Sequence, residues 1–311
     1  MKSYLVTGAA GFIGSRLAAH LIDEGHKVVT IDNLSTGKES NIPPQVEFLK
    51  GDCFDSQILC QLESARFDAI FHIAGQSSGE ISFENPVYDL QTNGQSTLQL
   101  LQLCRKIGCS KFIYASSMSV YGDVPHQPIA ESHYPQPKSF YAVGKLASEQ
   151  YLRIYAEEFG FSTAALRLFN VYGPGQNLDN LQQGMVSIFL AQALNTKKIH
   201  VKGSKNRFRD FVYIDDVVNA FVKAEIGMKE ASFSLFNICS GTKTTIEKLV
   251  EAITSNFNER IPVKYEGNTL GDQFGIFGNG VRARDEIHWE ASTPFSGGIE
   301  AMVRWAKNRY S

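Results

Sequence analysis

Thr7-Gly8-Ala9-Ala10-Gly11-Phe12-Ile13-Gly14 follows the apolar run Tyr4-Leu5-Val6 and leads directly into a helical pattern from Ser15 to Ile22. The order strand, tight turn, helix decides the fold. Three glycines let a backbone turn sharply, approach a pyrophosphate closely and seat a helix on a strand, with the helix N-terminus facing the phosphate charge. The acidic residue such a turn requires downstream is present, because Lys27-Val28-Val29-Thr30-Ile31-Asp32 reads as a second buried strand ending in a carboxylate. Asp32 is placed to hold an adenine ribose diol. A 2′-phosphate would meet it as a like charge, so NAD is favoured over NADP.

Outward from this turn, continuous apolar strands are expected near residues 3–7, 27–32, 46–50, 68–74, 111–116 and 163–169, alternating with helices over 12–24, 55–64, 87–108 and 140–160. That alternation predicts an α/β fold, a Rossmann doubly wound parallel sheet covered on both faces. After Asn170 the pattern fades, Gly173-Pro174-Gly175 breaks the chain, and shorter helices follow near 184–194, 215–228 and 244–256. Residues 1–175 read as the dinucleotide-binding domain and 176–311 as a smaller C-terminal α/β substrate lobe interleaved with it.

The chain has 311 residues, 43% hydrophobic and 20% charged, with a formal charge of −2. Such a balance offers no electrostatic footprint for nucleic acid or an anionic membrane, and no apolar run approaches a membrane span. The N-terminal apolar patch is too short for a signal peptide, which fits a cytoplasmic enzyme. Cys53, Cys60, Cys104, Cys109 and Cys239 form no Cys-x-x-Cys and have no His at ligand spacing, so buried free thiols are expected and no metal site.

Polar residues fall at strand ends, where a doubly wound sheet binds its ligand. Asp52 suits either the adenine amino group or a helix N-terminal cap. His72 ends an apolar strand and reads as a hydrogen-bonded core residue rather than a catalyst. Asn93 lies inside a helical pattern that mildly disfavours it, which suggests a hydrogen-bonding task. Ala115-Ser116-Ser117 brings hydroxyls to a sheet edge, and Tyr141 and Lys145 stand at i and i+4 on one helix face. A lysine charge and a positive nicotinamide ring would both favour the phenolate and move Tyr141 toward a general base, with Ser117 orienting a substrate hydroxyl.

These motifs together resemble the extended short-chain dehydrogenase/reductase family, in its NAD-dependent nucleotide-sugar epimerase and dehydratase branch. The resemblance runs over nearly the whole chain. It adds the loop Asp32-Asn33-Leu34-Ser35-Thr36-Gly37, Ser117 three residues before Val120-Tyr121-Gly122, Arg167-Leu168-Phe169-Asn170, and Arg209-Asp210-Phe211. It implies that Ser117, Tyr141 and Lys145 are catalytic. It also implies that NAD is held by Gly8, Gly11, Phe12, Ile13, Gly14, Asp32, Asn33, Thr36, Gly37, Asp52, Cys53, Ala74, Gly75, Asn93, Tyr141 and Lys145. The substrate, a UDP-sugar, would meet Ser117, Asn170, Arg209 and Asp272; the alternative for Arg209 is a salt bridge to Asp210 or Asp215.

Dehydratases and decarboxylases of this family typically carry a carboxylate just before Val-Tyr-Gly, where this chain has Met118-Ser119. That departure, the Asp32–Gly37 loop and the spacing from Gly271-Asp272 to Trp289 favour epimerisation at C4 of UDP-glucose and UDP-galactose through a 4-keto sugar. UDP-glucuronate and UDP-N-acetylhexosamines are the alternative substrates, and a non-catalytic NAD-sensing protein is the alternative class. Thr269-Leu270 stand where the family usually has a phosphate-binding arginine, with Lys264 or Arg282 as candidate replacements. Ile276 stands where a tyrosine often borders the sugar, either admitting a larger sugar or merely packing. Relatives pair the helices expected over 87–108 and 140–160, and Leu98, Leu100, Leu101 and Leu103 are offered for such a homodimer interface, the alternative being burial against the sheet.

Overall fold

The computed structural model describes residues 1–181, 184–267 and 274–310. The first half alternates as the sequence predicts: β1 (Ser3–Thr7), α1 (Phe12–Asp23), β2 (Lys27–Asp32), β3 (Glu47–Lys50), α2 (Ser56–Cys60) and β4 (Ala69–His72). Then follow α3 (Gly79–Glu84), α4 (Pro86–Asp89), a π-helical segment Leu90–Gln95, α5 (Ser96–Ile107), β5 (Lys111–Ser117), α6 (Phe140–Phe159) and β6 (Ser162–Leu168). The second half carries β7 (Asn170–Tyr172), α7 (Met185–Asn195), β8 (Ile199–Lys202), β9 (Phe208–Arg209), β10 (Phe211–Tyr213) and α8 (Ile214–Gly227). It ends with β11 (Phe233–Ile238), β12 (Thr244–Thr245), α9 (Ile246–Thr254), β13 (Val263–Glu266), α10 (Val281–Ile287) and α11 (Phe295–Tyr310).

The seven-stranded sheet runs β11-β6-β5-β4-β1-β2-β3, and every pairing in it is parallel. Its seventh strand, β11, comes from the second half of the chain and was not anticipated. Side chains alternate between two apolar layers. Tyr4, Val6, Phe71, Ile113 and Leu166 join Leu17, Val217, Phe221 and Trp289 on the α1 and α8 side. Leu5, Ile70, Phe112, Tyr114 and Ala165 join Leu59, Leu101 and Leu152 on the α2, α5 and α6 side. Strands buried on both faces explain why their sequences run apolar without alternation. A separate core of Val186, Phe189, Leu190, Leu249, Ile253 and Met302 unites α7, α9 and α11 in the outer lobe.

Two expected helices differ. The stretch 55–64 is helical only over Ser56–Cys60, and its cap is Asp55, which accepts from the Gln57 amide; Asp52 therefore does not cap it. The single helix expected over 87–108 is continuous from Pro86, capped by Asn85, to Ile107, but it carries a π-helical turn at Leu90–Gln95. Cys60 is exposed, whereas the other four cysteines are buried and free. Among the described residues no helix is long and apolar enough to cross a membrane.

The outer C-terminal segment is fastened to the sheet through Asp216 in the first turn of α8. Its carboxylate accepts from the Ser292 amide (3.2 Å) and hydroxyl (2.8 Å) and the Thr293 amide (3.0 Å), while its carbonyl accepts from Trp289 Nε1 at 2.9 Å. Asp216→Ala leaves these donors without their carboxylate. It is expected to cost about 2 kcal/mol, read as a melting temperature lowered by several degrees with NAD affinity unchanged.

Candidate active site

The glycine turn has the geometry a dinucleotide needs. A Cβ at Gly14 would lie 2.2 Å from the Gly8 carbonyl oxygen, and Gly8 itself has φ +79°. Both positions are closed to other residues, and α1 begins immediately after Gly11 with its amides facing the cleft. Asp32 is nearly buried. Its Oδ2 accepts from the Ala10 amide at 2.9 Å and its Oδ1 from Leu34 at 2.8 Å, so two donors fix the carboxylate while lone pairs remain for a diol. The Ala10 carbonyl accepts from the Lys38 amide at 3.1 Å and from Asn41 Nδ2 at 2.9 Å, which binds the loop after β2 onto the turn.

Of the expected cofactor residues, Gly8, Gly11, Phe12, Ile13, Gly14, Asp32, Asn33, Thr36, Asp52, Cys53, Ala74 and Gly75 line one cleft. Gly37 borders a smaller adjoining hollow. Asp52 accepts from Asn33 Nδ2 at 2.6 Å. Asn93 is fully buried in the π-helical turn, donates to the Gln76 carbonyl (2.9 Å) and Asp89 (3.1 Å), and turns an unpartnered Oδ1 toward Gly75. His72 is a core residue as expected, bonded to Thr7 (2.8 Å) and Ser96 (3.2 Å), and burial pulls its pKa down to about 3.

Beside this cleft lies a second, of about 500 Å³, bordered by Ser117, Tyr141, Lys145, Asn170 and Arg209. Ser117 ends β5, and Tyr141 and Lys145 lie on the sheet-facing stripe of α6. Ser119 donates to Ser117 Oγ through its hydroxyl (2.9 Å) and its amide (3.2 Å). The Ser117 hydrogen is thereby left to point elsewhere. Lys145 is buried, donates to the Ala115 carbonyl at 2.9 Å, and lies 5.7 Å from the Tyr141 ring centre.

A scan of the sequence against protein-family models matches residues 4–239 to the NAD dependent epimerase/dehydratase family. The chain belongs to this family. Its NAD cofactor fits the cleft just described, on the backbone approach at Gly8 and Gly14 and the twice-anchored Asp32. Solved structures agree over the whole chain. A UDP-glucose 4-epimerase of Thermotoga maritima with UDP-glucose has TM-score 0.94 at 33% identity, over 99% of this chain and 100% of that one. A UDP-N-acetylglucosamine 4-epimerase of Methanobrevibacter ruminantium, in complex with UDP-N-acetylmuramic acid, has TM-score 0.93 at 30% identity, over 99% of both. A Thermus thermophilus UDP-glucose 4-epimerase with NAD has TM-score 0.91 at 31% identity, over 98% of this chain and 99% of that one.

Several expectations at the family's substrate side change. Arg209 pairs with neither carboxylate considered: Asp215 pairs with Arg16 at 2.7 Å, and Asp210 accepts from Ser240, Gly241 and Gly278. Burial, aided by Arg207, lowers the Arg209 pKa to about 10. Lys264 and Arg282 pair with Glu266 and Glu286, and neither borders the cleft. Ile276 is fully buried against Val120, Tyr121, Ile129, Phe169 and Cys239, so it packs and does not border the sugar. Thr269, Leu270, Gly271 and Asp272 lie outside the described residues. Gln176, absent from the expected set, borders both clefts with a buried Oε1 unpartnered among the described residues. Only the preceding Gly173-Pro174-Gly175 break hinted that this loop would turn back over the site.

The electrostatics also differ from expectation. Burial, opposed by the Ser117 hydroxyl and assisted by Asp89, pushes the Tyr141 phenol up to about 12. Burial, opposed by Asp89, brings Lys145 down to about 8. The protein's own groups thus favour the protonated phenol, and a positive nicotinamide ring bound nearby would be a charge that favours phenolate. A ligand that lowers a pKa binds with proton release, so NAD affinity should rise with pH in the alkaline range up to about 12. The Tyr141-dependent phenolate absorbance should appear at lower pH in the NAD complex than in the free protein. Coincident midpoints would contradict this.

Proposed function

We propose that this protein interconverts UDP-glucose and UDP-galactose by epimerisation at C4, with Tyr141 as the acid/base. The observation that carries this reading is that Ser117, Tyr141, Asn170 and Arg209 line one cleft, which shares Phe12, Ile13, Gly75 and Gln176 with the cofactor groove. Epimerisation needs one group to remove and return the proton of the 4-hydroxyl, whereas elimination of water needs a further acid or base. Among the described residues lining the second cleft, the carboxylate present is Glu80, exposed on α3, and Met118-Ser119 follow Ser117.

Bound NAD supplies the acceptor and donor of hydride at C4. Tyr141 takes the hydroxyl proton as the 4-keto sugar forms and returns it after the ketone has turned over. Ser117, its lone pairs engaged by Ser119, donates to the sugar oxygen or the phenolate. Lys145 holds the nicotinamide ribose and Asn93 supports the adjoining backbone. Asn170, which lines the second cleft, has a buried Oδ1 unpartnered among the described residues that could accept from the nucleotide. Arg209 borders the same cleft, and a guanidinium is suited to bridging diphosphate oxygens.

Incubation with each UDP-sugar separately, resolving C4 epimers by chromatography, should convert UDP-glucose and UDP-galactose. Conversion only of UDP-N-acetylhexosamines or UDP-glucuronate would move the reading to those sugars, and conversion of none would sink it. Tyr141→Phe should lower kcat by a factor of about 10²–10⁴ with NAD retained.

A homodimer accompanies this reading, on a different set of residues from those first offered. Leu100, Leu101 and Leu103 are core, whereas Phe83, Val87, Leu90, Phe140, Val143 and Ile154 are exposed on α3, α4, the π-helical turn and α6. Phe83 and Phe140 stack at 5.7 Å, and an apolar surface of this kind suits a second copy of the chain. Light scattering should give twice the chain mass, and Val143→Asp should halve it; a wild-type monomer would contradict the assignment.

A further inference from the structure

The mechanism above leaves unused a buried polar row beneath the second cleft. Ser116 on β5, Arg167 on β6 and Asn237 on β11 are register partners across three parallel strands, so they lie at one level of the sheet and face the same layer, under α6. Glu149 on α6 completes the row. It stands one turn beyond Lys145 and two beyond Tyr141, on the same helix stripe. Arg167 grips it at both oxygens, Nε at 2.9 Å and Nη2 at 2.7 Å, and the Ser116 hydroxyl donates to Glu149 Oε1 at 2.5 Å. The Arg167 guanidinium lies over the Tyr121 ring at 4.5 Å, and the Tyr121 hydroxyl donates to Asn237 Oδ1 at 2.6 Å.

This arrangement clamps the segment bearing Ser117 from both sides. Ser116, just before it, is tied to the tyrosine helix through Glu149, and Tyr121, just after it, is tied to Arg167 and Asn237. Both ion-pair partners are almost completely buried. Desolvation makes such a pair weak evidence for stability, and its defensible role is to fix a geometry. Ser117 lies on an irregular turn at a strand end, where an error of one ångström is catalytically expensive.

We propose that Glu149 and Arg167 are positioning residues that, through Ser116 and Tyr121, hold Ser117 in register with Tyr141 for proton transfer. The proposal rests on the epimerase reading. Ser116→Ala and Tyr121→Phe each remove one tether and leave the ion pair intact. Each should lower kcat about 10- to 100-fold, with KM for the UDP-sugar, bound NAD and melting temperature nearly unchanged. Ser116→Ala combined with Glu149→Leu should lose no more than Glu149→Leu alone, because both cut one connection. Where Glu149→Leu does not fold, the two tether variants decide. A kcat within twofold of wild type in both overturns the proposal, as does a kcat loss that tracks loss of NAD and melting temperature. Wild-type turnover in Tyr141→Phe would instead overturn the epimerase reading.

Discussion

The structure depends on the contact between the Gly8 carbonyl and the α-carbon of Gly14. With a Cβ there the two would be 2.2 Å apart; without one, α1 settles onto the end of β1 and opens a groove lined by its first amides. The same turn organises its surroundings. The Gly8 amide donates to the Ile31 carbonyl at 2.9 Å, the Ala10 amide positions Asp32, and the Ala10 carbonyl gathers the loop that follows. Turn, ribose carboxylate and covering loop are one hydrogen-bonded unit, so a residue change at Gly14 would displace all three.

Beside that unit, α6 carries the residues to which the chemistry is assigned in the proposed reading. Tyr141, Lys145 and Glu149 occupy one stripe at successive turns, and each meets a different part of the sheet edge. Burial moves the first two toward their neutral forms, raising the phenol and lowering the ammonium. On the proposed reading, a tyrosine that rests protonated and is converted by the charge of its cofactor would be a base only in the assembled complex. The third is gripped at both oxygens by Arg167, a buried contact suited to fixing geometry.

The legible part of the sequence was the part governed by short-range rules. The glycine turn, the strand ending at Asp32 and the i, i+4 pair of Tyr141 and Lys145 each depend on neighbours a few residues away, and the strands through residue 168 follow from uninterrupted apolar runs. Features set by distant chain segments were not legible. Phe233-Ser234-Leu235-Phe236-Asn237-Ile238 is as apolar as the others, yet its place beside β6 depends on α8 crossing the sheet. The Ser116–Arg167–Asn237 row requires the register of three strands, and Gln176 reaches both clefts only because its loop folds back. Of the leucines offered for an interface, Leu100, Leu101 and Leu103 went to the core, since periodicity alone does not distinguish two buried faces. Desolvation, invisible in sequence, raises the Tyr141 pKa, and Lys145 contributes no opposing shift in the protein alone.

The central claim is that one bound cofactor removes and returns the same hydride at the sugar C4 while Tyr141 moves the proton. UDP-galactose carrying deuterium at C4 tests it directly, by mass spectrometry of the UDP-glucose formed in the presence of excess unlabelled cofactor. The account predicts full retention of the label at C4 of the product. Its appearance in water or in the free cofactor would contradict it.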